Sequence, residues 1–406
     1  MLGKIESFVY NAVKRNTFIK NLLRDSYQLF FALAARKGYE SKYKMVIRDN
    51  CFFGFHDKSP WSPDGRYLLG HSYLGKGNEN CETIPSVEIV LFDGNEWTKK
   101  RNISSTGAFN WQQGSQLQWL SDNEVIFNDF EDGKCVSRIV DLNGEQISVL
   151  PYPVAALAPA SRYFASICFY SFGNAMPGYG YNFSGGRNSS VSPGNIIIYA
   201  IDSCRELYKL SREEISRESP LARANSNYFV SHAMFSPDGS RLAFMVRVAP
   251  PGRRVESELL LFDLRSGSLA MTPFRDMVSH YTFLGNDKIL LFASYESSEG
   301  FFIYHLSSGA VEDISMYLGA RDGHPSTAAD GVVVYDTYPD RKRRQTLFIW
   351  SGKEQPAEPV ASLYSPLNFR DEYRVDLHPR IKEDGSAICV DTSVNGIRSM
   401  ATFKIR

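Results

Sequence analysis

Four of the seven histidines in this 406-residue chain stand at one place relative to a recurring turn. The turn is a quartet of the Ser-Pro-Asp-Gly kind. Its copies, some degenerate, begin at Ser62, Leu120, Ala158, Ser236, Leu284, Ala328 and Lys382. Four residues before each copy stand Lys58, Gln116, Val154, His232, His280, His324 and His378. A fifth histidine, His56, lies two residues ahead of Lys58. Converging neutral imidazoles suit a divalent transition metal. Such a metal could polarise a substrate oxygen or neutralise a carboxylate. A histidine left off the metal could serve as a base near neutral pH. The competing reading is structural: each histidine caps a strand by bonding the backbone of a neighbouring repeat.

The elements around the quartets say how such residues could meet. Each quartet is followed by an apolar strand: "RYLLGHS", "EVIFND", "RYFASICF", "RLAFMVRV", "KILLFAS", "GVVVYDT" and "SAICVDT". A second apolar run closes most units, such as "EIVLFD", "ELLLFDL" and "TLFIW". Polar turn residues and a weaker fourth strand follow. Four strands per repeat at this period predict an all-β, seven-bladed β-propeller over residues 43–406. No helical pattern separates the strands, which argues against a parallel α/β sheet. The last unit is one strand short, and "YKMVIRD" at 43–49 is the natural donor of its outer strand. In a propeller the first strand of each blade lines the axis, so the histidines and Gln116 converge at one rim.

Strand alternation puts the connections 74–86, 170–194, 249–256 and 338–344 on that same face. The second, rich in glycine and aromatics, suits sugar rings or is a flexible decoration. The last two carry Arg253, Arg254, Arg341, Arg343 and Arg344. These could offer guanidinium forks to an anionic ligand or form a solvated charge run.

Composition narrows the remaining classes. The formal net charge is zero, which offers no electrostatic case for nucleic acid. Six scattered cysteines without a C-x-x-C pair read as free thiols of a reducing compartment. Residues 1–44 hold nine Lys/Arg against three Asp/Glu. Apolar residues at helical spacing over 2–37 predict a basic amphipathic helix, the core of an extension over residues 1–42. It would lie on an anionic membrane, dock on a protein partner, or pack on its own domain. No signal peptide is visible, and "LFFALAA" at 29–35 is too short to span a bilayer. The expected location is cytoplasmic, peripheral to the inner membrane if the helix binds it. No G-x-S-x-G elbow, Walker A loop or dinucleotide fingerprint occurs.

The repeat "HAMFSPDGSRLAFM" resembles the TolB-like propeller repeat, a similarity that covers residues 50–405. A narrower resemblance is to the oligogalacturonate lyase family of polysaccharide lyases. It rests on "SHAMFSPDG", "DGHPSTAADG", "DLHPRIKEDG" and "QGSQLQWL". The resemblance implies an axial site where histidines and a glutamine hold a divalent metal, typically manganese. It also implies a separate histidine that abstracts the proton in β-elimination. By blade order His232 resembles the base, and His280 and His378 resemble metal ligands. His324 and Gln116 join them by ring geometry. The family's last blade carries more than one histidine and a glutamine. Here "YRVDLHPR" offers His378, with Asp376 two residues before it and Arg374 and Arg380 nearby. The expected ligand is a uronic-acid-containing oligosaccharide or polysaccharide. Arg374 or the metal would neutralise its carboxylate, while His56, Lys58, Arg254, Arg344, Tyr281 and Arg380 would complete the binding set. The alternative is a non-catalytic propeller that binds a glycan or a protein during surface polysaccharide assembly.

Overall fold

The quartets turn the chain from the axial strand of each blade into the next strand. In four of them the glycine closes a turn onto the first residue. Gly65, Gly239 and Gly385 donate to the carbonyls of Ser62, Ser236 and Lys382 at 2.8 Å, and Gly331 donates to Ala328 at 3.0 Å. These glycines hold φ between +70 and +82°, a region that costs glycine little. The computed structural model describes residues 35–159, 162–181, 190–352 and 354–406. The helix expected over 2–37 therefore falls almost wholly outside the described residues.

The described strands form seven antiparallel sheets, giving a seven-bladed β-propeller. Blade four is the most regular. Its strands Phe229–Phe235, Arg241–Val248, Glu256–Asp263 and Ser268–Met271 pair in sequence order. In blades one, two, three, six and seven the axial strand shortens to two residues, as in Gln118–Trp119 and Arg380–Ile381. The outer strand of blade seven is Met45–Asp49, paired with Ser399–Lys404 in the register Met45 to Phe403. Arg48 on that strand binds the Trp97 carbonyl at 2.8 Å and Thr402 at 3.2 Å, which ties the closure to blade one.

One segment differs from expectation. Tyr39–Ser41 lies within the span assigned to the helical extension, yet it forms a fifth strand on blade six, against Glu358–Tyr364. Lys42 then donates to the Val360 carbonyl at 2.9 Å. A sheet edge offers unpaired backbone groups, and three extended residues satisfy some of them.

The core lies between blades. Ala243, Leu259, Tyr281, Phe283 and Leu291 fill the gap between blades four and five. Val334, Leu347, Ile388 and Val390 do the same between six and seven. Burying both faces of each sheet explains the nearly continuous apolar runs. The blades are also latched at the quartet end. The Asp64 amide donates to Asp122 at 3.0 Å, and the Asp238 amide donates to Asn286 at 2.9 Å.

Candidate active site

At the opposite end of the axial strands, five imidazoles gather. The His280 and His324 rings lie 4.0 Å apart, and His324 and His378 lie 4.3 Å apart. His56 stands 5.4 Å from His324 and 5.7 Å from His280. His232 is set apart from these four by Phe55. The Phe55 ring is 4.8 Å from both His232 and His378.

The backbone bends to aim these side chains. Gln116, His232 and His378 hold φ of 58, 53 and 42°. That left-handed conformation strains any residue with a Cβ, at a cost of about 1 kcal/mol or more each. Around His232 the ladder breaks between Ser231 and Met234, and around His280 between Val278 and His280. A bulge re-aims a side chain that regular alternation would point into a sheet interface. The freed His232 carbonyl is taken by the Tyr281 hydroxyl, which is also 3.0 Å from the Ala243 carbonyl.

Four of the imidazoles are oriented the same way. Nδ1 of His56 faces the Pro325 carbonyl at 2.7 Å, and that of His378 faces the Gly54 carbonyl at 3.0 Å. Nδ1 of His280 meets Asp322 at 3.1 Å, and that of His324 meets Asp336 at 2.8 Å. A carbonyl or carboxylate accepts, so Nδ1 carries the proton and Nε2 keeps its lone pair. Thus both readings of the register hold in part. The histidines bond neighbouring backbone or carboxylates through one nitrogen, and present the other.

Two of the presented nitrogens join a carboxylate oxygen in a ligand set. One ligand atom from each of His324, Asp376 and His378 lies within 4.8 Å of the other two. Nε2 of His324, Nε2 of His378 and Oδ1 of Asp376 are buried without a hydrogen-bond partner among the described residues. Converging lone pairs without a donor repel each other, and a cation relieves this. Two imidazoles and one carboxylate fit a divalent transition metal with coordination positions left open.

The electrostatics divide the cluster. Burial holds the imidazolium forms of His56, His232, His280 and His378 well below their ordinary range, aided by neighbouring positive groups. His324 goes the other way: burial opposes its charge, but Asp336, Asp376 and Asp322 outweigh it and raise its pKa. The same carboxylates would attract a metal ion.

The expected residues separate into two groups. His56, His232, His280, His324 and His378 come together. Gln116 comes near, but in a small recess beside His232 that Asp57, Gln113 and Phe172 also line. Its amide donates to Gln113 at 3.3 Å, outside the three-ligand group. Arg374 is at the rim, where it binds Asp376 at 2.6 Å and the Tyr179 hydroxyl at 2.5 Å. The others have different occupations. Lys58 pairs with Asp57 at 2.6 Å and lines the quartet-side funnel, an opening of about 930 Å³. Arg380 is buried against Asp391 at 3.0 Å. Arg254 forms an exposed pair with Glu299. Arg344 binds Gly38 and Ser362 at the outer edge of blade six. Tyr281 supports the His232 bulge from the next blade.

Asp322, Asp336 and Phe55 escaped the sequence reading. Asp336 had a signal: it breaks the apolar run "VVVYD". Asn128, Asp336 and Asp391 occupy nearly the same place in second strands, and each accepts a backbone N–H of the next blade. Their partners are Val154 at 2.7 Å, His378 at 3.1 Å and Phe53 at 3.0 Å.

Two of the expected loops reach the cluster. Tyr179 lies 6.2 Å from His232, and Tyr338 lies 5.4 Å from His324. Tyr179 also borders a recess of about 260 Å³ whose walls include Asn80, Phe109, Asn110 and Glu372.

The backbone has close counterparts among solved structures. An oligogalacturonate lyase in complex with manganese superposes with a TM-score of 0.60 at 12% identity, covering 92% of this chain and 98% of its own. The oligogalacturonate lyase of Vibrio parahaemolyticus gives 0.56 at 11%, covering 91% and 99%. This chain has the fold of those lyases. The tricorn protease gives 0.50 at 11%, covering 90% of this chain and 34% of that one. No family model and no curated protein matches the sequence. No described helix is long and apolar enough to cross a membrane.

Proposed function

We propose that this propeller is a carbohydrate lyase that cleaves uronic-acid-containing glycans by β-elimination. The observation that carries the reading is the division of the histidines. His324 and His378 turn lone pairs toward Asp376, while Phe55 keeps His232 apart from them. The manganese bound by the similar lyase supports a divalent ion in this chain as well.

His232 is the residue suited to take the proton. Burial keeps its imidazole neutral, and Nδ1 has no partner among the described residues. In the elimination, His232 takes the C5 proton of the uronate. The C–H electron pair becomes the C4–C5 double bond, the C4–O bond breaks, and the leaving oxygen takes its proton from solvent water. When bound by His324, Asp376 and His378, a divalent metal would supply positive charge that draws electrons from the carboxylate and acidifies C5. Asp336 and the Gly54 carbonyl hold the two imidazoles in the required tautomer.

The test is the appearance of unsaturated-uronate absorbance when manganese-loaded protein meets a panel of acidic oligosaccharides. His232→Ala should lower turnover by roughly 10²–10⁴ while ligand affinity holds, because a base acts on the C–H bond only in the transition state. His378→Ala should instead lower metal content. Affinity for an acidic glycan without unsaturated product would replace the lyase by a glycan-binding propeller.

A further inference from the structure

Arg247 is a buried cation that no carboxylate among the described residues contacts; Asp322 acts on it only from a distance. It lies near the end of Arg241–Val248, opposite Phe229 in the ladder, and only 7% of it is exposed. One terminal nitrogen donates to the Ser279 carbonyl at 3.1 Å and reaches that of Val278 at 3.4 Å. Among the described residues the other meets only the Met176 sulfur at 3.7 Å, and Nε has no partner. A guanidinium has five N–H donors and does not shed its charge. Buried with no carboxylate in contact, it is costly to the fold. The other buried arginines are matched. Arg380 pairs with Asp391, and Arg398 is ringed by four backbone carbonyls. Arg48 binds Trp97, Glu96 and Thr402.

The place of Arg247 indicates what would match it. Its carbonyl contacts lie at the entry of the strand that carries His280. Met176 follows the helix Phe169–Ala175, whose Phe172 ring packs 5.8 Å from His232. On the paired strand, Ser231 Oγ and His232 Nδ1 are buried and also lack partners. Three unsatisfied polar atoms thus lie on two paired strands beside the imidazole cluster. Arg374, the other arginine at this rim, is already engaged by Asp376 and Tyr179.

We propose that Arg247 is the anion anchor of the chamber, taking the free carboxylate of a uronate and holding the sugar beside His232. This rests on the uronate reading above and adds a specificity: a free acid is accepted and its methyl ester refused. A planar guanidinium recognises two carboxylate oxygens, and esterification removes the charge and one acceptor geometry.

The experiment is calorimetric titration of trisaccharides of galacturonate, glucuronate and mannuronate, each as free acid and methyl ester. The proteins are manganese-loaded wild type, Arg247→Gln, Arg247→Lys and the exposed control Arg101→Gln, whose guanidinium binds the Leu142 carbonyl. Losing a buried charge-assisted contact should weaken acid binding by about 30-fold in Arg247→Gln. Ester binding should stay weak in every protein, and Arg247→Lys should recover part of the loss. Melting curves report whether Arg247→Gln is folded. If it is not, the lysine variant decides, because a point charge should still bind the acid several-fold less tightly. Wild-type affinity for the acid in both Arg247 variants, equal affinity for acid and ester, or no uronate affinity in the wild type would each overturn the assignment. Uronate binding that depends on Arg247 without unsaturated product would overturn the lyase reading and leave the anchor standing.

Discussion

Asp336 shows how much one buried side chain can organise. Its carboxylate accepts the backbone N–H of His324 at 2.7 Å, the His324 ring at 2.8 Å and the backbone N–H of His378 at 3.1 Å. It therefore sets both imidazoles of the ligand group from one point. Gly323 is part of the arrangement. A Cβ there would stand 1.9 Å from the Asp336 carbonyl oxygen, so only glycine lets the two segments approach this closely. Asp336→Asn keeps the shape but removes the charge and offers a donor where an acceptor is needed. Metal affinity should fall by about 10–100-fold, the usual scale for a supporting contact. Competition with a chelator of known affinity measures it. An unchanged metal constant would show that Asp336 does not orient the ligands.

At the scale of the element, the repeat does two jobs at its two ends. At the quartet end it makes regular turns. At the other end it breaks the ladder with bulges and left-handed residues, and those irregular places carry the imidazoles. The turns also carry a pH signature. Burial would raise the Asp238 pKa, but hydrogen bonds from Ser236 and Ser240 and the charge of Arg265 overcome it and bring the value to about 2. Asp384 is likewise held at about 2, through Lys382 and Ser386. Both are depressed below the unfolded value of about 3.9. Their stabilisation is therefore complete above pH 4 and is lost as pH falls through 2. Solvent screens these surface groups, so each effect is small. Urea melts at pH 5 and pH 2.5 should show the wild type losing more stability than Asp238→Asn. Equal losses would remove the turn aspartates from the acid response.

At the scale of the molecule, the ring is closed by a strand from the other end of the domain. Met45–Asp49 supplies five residues of ladder to Ser399–Lys404, and Arg48 anchors it to blade one. Deleting residues 43–49 should expose the edge of Ser399–Lys404 and the apolar groups beneath it. The expected result is aggregation in light scattering and a lower melting temperature. A deletion variant with wild-type particle size and melting would mean that closure is not what holds the ring.

Composition, turn spacing and strand pattern were enough to determine the seven-bladed architecture, because each blade is a local unit written in consecutive residues. The register of His232, His280, His324 and His378 was legible for the same reason: a repeat puts equivalent positions at equivalent places on the axis. The tertiary structure alone decided the rest. Phe55 separates His232 from the other imidazoles, and Asp336, twelve residues after His324 and in the next strand, orients it. Lys58, Arg254, Arg344 and Arg380 sit in residue classes that suit an anionic ligand, yet nearby carboxylates or backbone carbonyls hold them elsewhere. Arg247 looked like one more residue of "RLAFMVRV" until the strands on either side showed that no carboxylate among the described residues pairs with it. Charge type is written in the sequence. Which charges remain unmatched depends on partners tens or hundreds of residues away, which only the closed ring brings into contact.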